Sequence, residues 1–209
     1  MIYNYDVFLF DFDGTLFDTI DSSIYVFEEA FRRKGIIVDK NDVLNYTRVP
    51  IRDTYKNLVG SMDGYAEFIG DINELVFSQK VVDMAEIYED TARILAYLKE
   101  ANKTIGIVTS NAKEHLLDVL KRFDLENKFD VIVGNKEEPK SKPSPRPILK
   151  TLELLDYHNK EKVVYIGDSI NDVFSALNAG VDGVLLDRLG EVDTKKTFKV
   201  IRSLDEIIR

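Results

Sequence analysis

The sequence predicts an α/β protein: a doubly wound, Rossmann-like parallel sheet carrying an inserted α-helical domain near its start. Three observations lead there. A short apolar run, Val7 to Phe10, ends abruptly in Asp11-Phe12-Asp13-Gly14-Thr15. Helical patterning then fills Leu16 to Ile87 without a convincing strand. From Asp90 onward, strand-like and helix-like segments alternate. Consecutive apolar residues bounded by a turn signal read as a strand buried on both faces, and such alternation is the mark of a parallel sheet with crossover helices. Roughly seventy helical residues are too many for one crossover, so 16–87 is expected to be a separate helical domain, with 1–15 and 88–209 forming the α/β core.

The elements follow in order. After Thr15, residues Ile20, Ile24, Phe27 and Phe31 recur at helical spacing and the segment stops at Gly35, a good residue just past a helix end. Further helices are expected over Asp39 to Tyr46, Pro50 to Val59 before Gly60, and Asp71 to Tyr88. The core then reads helix 90–101, strand 103–109, helix 112–123, strand 129–133, a proline-rich loop and helix 145–155. Strand 162–167, helix 171–179 and strand 182–186 follow, and a short strand with a final helix is expected over 198–209.

Composition excludes several function classes. The 209 residues carry a formal net charge of −9, with 44% hydrophobic and 31% charged residues. A pI near 4.9 argues against nucleic-acid or anionic-membrane partners, which need clustered Lys and Arg. The chain has no Cys, so disulfides, thiolate catalysis and zinc–thiolate sites are out, and only His115 and His158 are present for histidine chemistry. The start MIYNYDVFLF lacks the pattern of a signal peptide and no apolar run reaches membrane-span length, so a cytoplasmic protein is expected. Neither internal repeats nor low-complexity tracts are evident.

In an open α/β sheet, ligands bind beyond the carboxyl ends of the strands, and three predicted strands end in reactive groups. The first ends in Asp11 and Asp13. If the extended geometry continues through Phe12, both carboxylates project to one side within a few ångströms. Like charges about 4 Å apart repel by roughly 4 kcal/mol at an effective dielectric near 20, which calls for a cation or a shared proton. Gly14 permits a tight turn and brings backbone N–H groups near an anion. The second strand ends in Thr109-Ser110-Asn111, where hydroxyl and N–H groups can either cap a helix or donate to a phosphoryl oxygen. The third, VVYIG, ends in Asp168, with Asp172 one helical turn later. Lys142-Pro143-Ser144-Pro145 lies between them and reads as a stiff connector or as a Lys aimed by flanking prolines.

Together these stretches resemble the haloacid dehalogenase (HAD) superfamily, a family dominated by Mg²⁺-dependent phosphatases. DFDGTL is similar to its first motif, Thr109 stands in the second, Lys142 to Pro145 match its KPxP, and Gly167 to Asp172 match its GDxxxD. The order agrees and the motifs span Val7 to Asp172. The helical insertion resembles the family's α-helical cap, as in phosphoglycolate phosphatases and β-phosphoglucomutases. One departure is Arg146, where the family often has Asp; it adds positive charge near Lys142.

The resemblance implies a mechanism and its residues. Asp11 is the expected nucleophile, Asp13 the general acid/base, and Lys142 the cation that neutralises nucleophile and phosphoryl group. Thr109, with Ser110 and Asn111 as further candidates, is expected to hold the phosphate. The expected Mg²⁺ is held by Asp11, the Asp13 carbonyl and Asp168, with Asp172 in its water shell; an all-oxygen set suits that ion. Arg52, in a stretch similar to a substrate-contacting cap segment of β-phosphoglucomutases, is the candidate specificity residue, with a solvated helix face as its plain alternative. The expected substrate is a small phosphorylated metabolite, and the expected assembly a monomer or weak homodimer. A phosphomutase using the same residues is the nearest rival. A receiver-like module, which also combines Asp, Thr, Lys and Mg²⁺, is a rival of another class, though receivers lack a helical cap. Dehalogenase activity also occurs in the superfamily, but Asp13 and the GDxxxD acids suit a metal-dependent phosphatase better.

Overall fold

The structure is a computed structural model that describes residues 4–40, 43, 51–190 and 198–208. The chain forms two compact units, Met1–Asp18 with Glu86–Arg209, and Thr19–Ala85.

In the first unit, β1 (Val7–Phe10) is completely buried, as its uninterrupted apolar sequence requires. On one side of it lie β4 (Thr104–Val108) and β5 (Val131–Val133), and on the other β6 (Val163–Gly167), β7 (Asp182–Leu186) and β8 (Lys199–Ile201). All pairings in this six-stranded sheet, ordered β5-β4-β1-β6-β7-β8, are parallel. The strand order reverses at β1. Register then decides what meets there: Phe10 lies opposite Ile107 on β4 and Ile166 on β6, so all three strands run out at one level. Helices α5 (Glu89–Glu100), α6 (Lys113–Arg122), α7 (Arg146–Leu154) and α8 (Ile170–Ala179) alternate with the strands. Val7, Leu9 and Tyr165 project to the sheet face where they pack with Ile148 and Leu152 of α7 and Ala176 and Ala179 of α8.

The strands and helices of this unit agree with the expected ones to within a few residues, except at its two edges. The tail ends after β8 in a 3₁₀ turn, Leu204–Ile207, rather than a full helix. Two further strands correct the expectation of none between Leu16 and Ile87: β2 (Phe17–Asp18) pairs antiparallel with β3 (Glu86–Ile87). Two residues are too few to show alternation; beside this pair the Tyr88 N–H donates to the Leu16 carbonyl, and local bonding ties β2 to the turn after β1. The N–H groups of Leu16 and Phe17 donate to the Phe12 carbonyl, Gly14 N–H donates to the Phe17 carbonyl, and the Phe12 and Phe17 rings stack at 4.7 Å.

The second unit is helical: α1 (Ile20–Arg33), α2 (Ile51–Val59), α3 (Tyr65–Val76) and α4 (Gln79–Met84). Its core is aromatic, with the Phe68 ring 4.6 Å from Phe31 and 4.8 Å from Tyr55. Gly35, at φ +75°, follows α1 as its sequence position predicts. The single helix expected over 71–88 is instead broken between Val76 and Gln79. Ser78 starts α4 by accepting the Val81 N–H on its hydroxyl, so a cap interrupts what hydrophobic spacing alone reads as continuous. The helix expected over 39–46 falls largely outside the described residues, as does Pro50. Among the described residues no helix is long and apolar enough to cross a membrane.

Candidate active site

The level at which β1, β4 and β6 end collects the candidate residues of the α/β unit. Asp11 continues the ladder, its N–H donating to the Ile166 carbonyl, and Thr109 does the same toward Val133. The turn that follows Asp11 needs Gly14 for two reasons. Its φ is +69°, and a Cβ there would lie 2.3 Å from Asp168 Oδ2. Gly167 is restricted in the same way, since its Cβ would meet Asp172 Cγ at 2.3 Å. The two glycines thus let Asp168 and Asp172 close in on the ends of β1 and β6.

Lys142 is the hub. Its Nζ lies 2.8 Å from Asp11 Oδ1 and 2.6 Å from Asp172 Oδ1, and donates to the Tyr165 hydroxyl at 3.2 Å. Three ammonium protons thereby meet three oxygens. The loop bearing Lys142 is tied to α8: Ser175 Oγ donates to the Ser144 carbonyl and Asn178 Nδ2 to the Pro143 carbonyl. Arg146 pairs with Glu138 at 3.3 Å, so the positive charge that departs from the family pattern is committed away from the three groups around Lys142.

Asp172 is almost fully buried and each oxygen is engaged. Oδ1 faces Lys142 and Tyr165, while Oδ2 accepts from the Ser169 N–H at 3.0 Å and hydroxyl at 2.8 Å, completing a capping box on α8. Tyr165 is the residue that sequence reasoning missed. Buried on β6, its hydroxyl accepts from Lys142 and lies 2.9 Å from both the Val108 carbonyl and Asp172 Oδ1. In VVYIG it reads only as one more apolar strand position.

The two carboxylates of DFDGT have different partners, Asp11 facing Lys142 and Asp13 the loop after β4, while Asp13 still acts on the Asp11 carboxyl. Regular strand geometry stops at Phe10, and the Asp13 carboxylate accepts the Asn111 amide at 2.6 Å. Carboxylate oxygens of Asp11, Asp168 and Asp172 lie within 4.8 Å of one another, a grouping that could hold a metal ion. Thr109 is buried and its hydroxyl accepts the Asn111 N–H at 3.1 Å, while Ser110 is exposed; both line a small cavity with Asn135, Lys140 and Lys142. Arg52 is an exposed residue of α2 in the helical unit.

Charge is out of balance here. Burial pushes the Asp11 carboxyl well above the usual carboxylate range, with Asp172, Asp168 and Asp13 adding to the rise and Lys142 opposing it. Burial also works against the Asp172 carboxylate, yet Lys142 and the bonds from Ser169 and Tyr165 bring it below its ordinary value. Asp168 is open to solvent by surface area, but its surroundings desolvate the carboxyl and, with Asp172 and Asp13, push it up to about 7. One lysine does not neutralise these acids. A further cation fits the all-oxygen donor set, with Asp11 and Asp168 offering oxygens and Asp172 held back by its own bonds.

The description of haloacid dehalogenase-like hydrolases as a family matches residues 8–186. This chain belongs to that family. A PpaX protein of Caldanaerobacter subterraneus is 35% identical over 181 residues, covering 84% of this chain and 79% of its own length. A protein of Halalkalibacterium halodurans named pyrophosphatase PpaX is 30% identical over 183 residues, covering 83% and 79%. A crystal structure of a haloacid dehalogenase-like hydrolase from Bacteroides fragilis superposes with a TM-score of 0.86 at 23% identity, covering 97% of this chain and 99% of that one, and shares the fold. The chain is therefore an enzyme of the HAD-like hydrolases, built on their α/β frame.

Proposed function

We propose that this HAD-like hydrolase is a Mg²⁺-dependent phosphatase that cleaves a small phosphate monoester through an aspartyl-phosphate intermediate. The observation that carries the reading is the bridge of Lys142 Nζ between Asp11 and Asp172 at the ends of β1 and β6. A carboxylate paired with a buried ammonium, beside an oxygen-rich cation site, is equipped to accept a phosphoryl group.

The steps follow from the residues. Asp11 attacks phosphorus, the P–O bond to the leaving group breaks, and Asp13 supplies the proton that the departing oxygen takes. Asp13 then receives a proton from water as its oxygen attacks phosphorus. The bond to Asp11 breaks, releasing inorganic phosphate and restoring the carboxylate. Lys142, the Thr109 hydroxyl and nearby N–H groups stabilise charge on the equatorial oxygens. Asp11, the Asp13 carbonyl and Asp168, with Asp172 in support, would hold Mg²⁺, which would supply charge neutralisation there.

Ser110 is a further candidate phosphate contact, and Arg52 the candidate specificity residue. The substrate is a small phosphorylated metabolite rather than nucleic acid or a membrane, in keeping with the net charge of −9, and the protein works in the cytoplasm as a monomer or weak homodimer. The PpaX relatives favour one alternative substrate, inorganic pyrophosphate, whose leaving group is phosphate itself. Return of the phosphoryl group to a sugar, as in a phosphomutase, uses the same residues. Phosphate release from pyrophosphate, phosphoglycolate, sugar phosphates and an aryl phosphate, with Mg²⁺ and with EDTA, tests all three. Metal-dependent release from an organic ester supports the proposal. Release from pyrophosphate alone, isomerised sugar phosphates, or turnover that resists EDTA would overturn it.

A further inference from the structure

The amide of Asn111 is turned toward the proposed acid/base. Its Nδ2 lies 2.6 Å from Asp13 Oδ2, a short contact that joins the loop after β4 to the loop after β1 across 98 positions of sequence. The backbone that carries this amide is held on both sides. Its N–H donates to Thr109 Oγ1 at 3.1 Å, and its carbonyl accepts the Asn135 N–H at 3.0 Å. Gly134 makes room for that arrangement, since a Cβ there would lie 2.6 Å from the Asn111 carbonyl oxygen.

We propose that Asn111 is a positioning residue for Asp13, fixing which carboxyl oxygen carries the transferred proton. An amide NH₂ can only donate, and of the two oxygens of a protonated carboxyl the unprotonated carbonyl oxygen is the better acceptor. Oδ2 is thereby kept as the acceptor and Oδ1 is the proton-bearing atom. In the first step the proton leaves Oδ1 for the departing oxygen as the P–O bond breaks. In the second, a proton from water returns to Oδ1 as water attacks phosphorus. Asn111 keeps all its protons throughout and touches neither phosphorus nor leaving group. The inference rests on the phosphatase reading and adds to it a named source of acid/base orientation.

Leaving-group dependence separates this role from others. A nitrophenyl phosphate expels a stable anion and needs little protonation, whereas an alkyl phosphate needs it most. General acid catalysis supplies about 10²- to 10⁴-fold, so Asn111→Ala should lower kcat/KM on an alkyl phosphate by about 10- to 100-fold and on nitrophenyl phosphate by less than about threefold. Its profile across the series should have the shape of that for Asp13→Asn, and inhibition by inorganic phosphate should be unchanged. Asn111→Ser, measured beside it with a thermal melt on each, guards against loss of fold. Equal losses on every substrate with weaker phosphate inhibition would make Asn111 a phosphate contact and overturn the proposal. Equal losses with unchanged inhibition would make it scaffold, and no loss would leave it no role; either overturns the proposal too. If the wild-type protein releases phosphate from no member of the series, or if Asp11→Asn does so as well as wild type, the phosphatase reading itself fails and this inference falls with it.

Discussion

The two compact units place their charges differently. Among the described residues the α/β unit buries Asp11, Asp90, Asp172 and Asp187, whereas the helical unit buries no charged side chain at all. The helical unit keeps its charges on the outside, as where Arg33 meets Asp71 at 3.0 Å and Glu74 at 3.1 Å, and fills its interior with Phe31, Tyr55 and Phe68. Burying a charge costs stability unless it is paired, so the groups around Lys142 hold together only as a set. The helical interior is an assembly of separate apolar contacts. Loss of one group should therefore cost chemistry in the first unit and packing in the second.

The largest effect expected is on Asp11. Asp11→Asn should leave the protein folded, since an amide oxygen still faces Lys142 and Asp172 still balances its charge, and should take turnover below about 1% of wild type because the nucleophile is gone. A well-folded variant that retains more would end the assignment. Next come two substitutions of similar thermodynamic size and different consequence. Asp172→Ala strands Lys142 among fewer oxygens and should destabilise by roughly 3–5 kcal/mol, with activity lost even in the fraction that is folded. Phe68→Ala removes the central ring of the helical core and should cost about 3–5 kcal/mol by cavity formation. Urea unfolding with a parallel assay on each checks both, and an Asp172→Ala protein with wild-type stability would contradict the linked set.

A smaller effect follows from the excess of carboxylates. Mg²⁺ at about a hundred times its dissociation constant should stabilise the protein by about 2.7 kcal/mol, read as a rise in melting temperature that Asp168→Ala reduces. No rise in the wild-type protein would remove the cation from this place. The smallest concerns Tyr165→Phe. It deletes one hydroxyl while keeping the ring, and should cost about 0.5–1.5 kcal/mol in stability, with a loosening of Lys142 seen as a lower rate.

These contrasts also explain what the chain disclosed in advance. β1 and its Asp11 were legible because Val7 to Phe10 is apolar without interruption and then stops at a turn. The sheet as a whole followed from repeated strand and helix periods, and GDxxxD from one helical turn of spacing. What escaped depends on partners distant in sequence. Nothing in VVYIG ties the Tyr165 hydroxyl to Lys142, 23 positions earlier, and nothing near Asn111 points to Asp13. The different partners of Asp11 and Asp13 escaped because the chain is already turning after Phe10, where the Phe12 carbonyl accepts the N–H groups of Leu16 and Phe17. β2 and β3 escaped because a two-residue strand has no period.

That minute pair of strands has a consequence for modularity. Phe17 lies opposite Ile87 and Asp18 opposite Glu86 in an antiparallel pairing, so the chain leaves the α/β unit and re-enters it at adjacent points. Neighbouring strands are only about 5 Å apart, a gap that a two-residue Asn-Gly hairpin turn spans. Both links to the segment between Thr19 and Ala85 therefore meet at one antiparallel pair, and a chain in which an Asn-Gly turn replaces that segment should keep the register of the sheet.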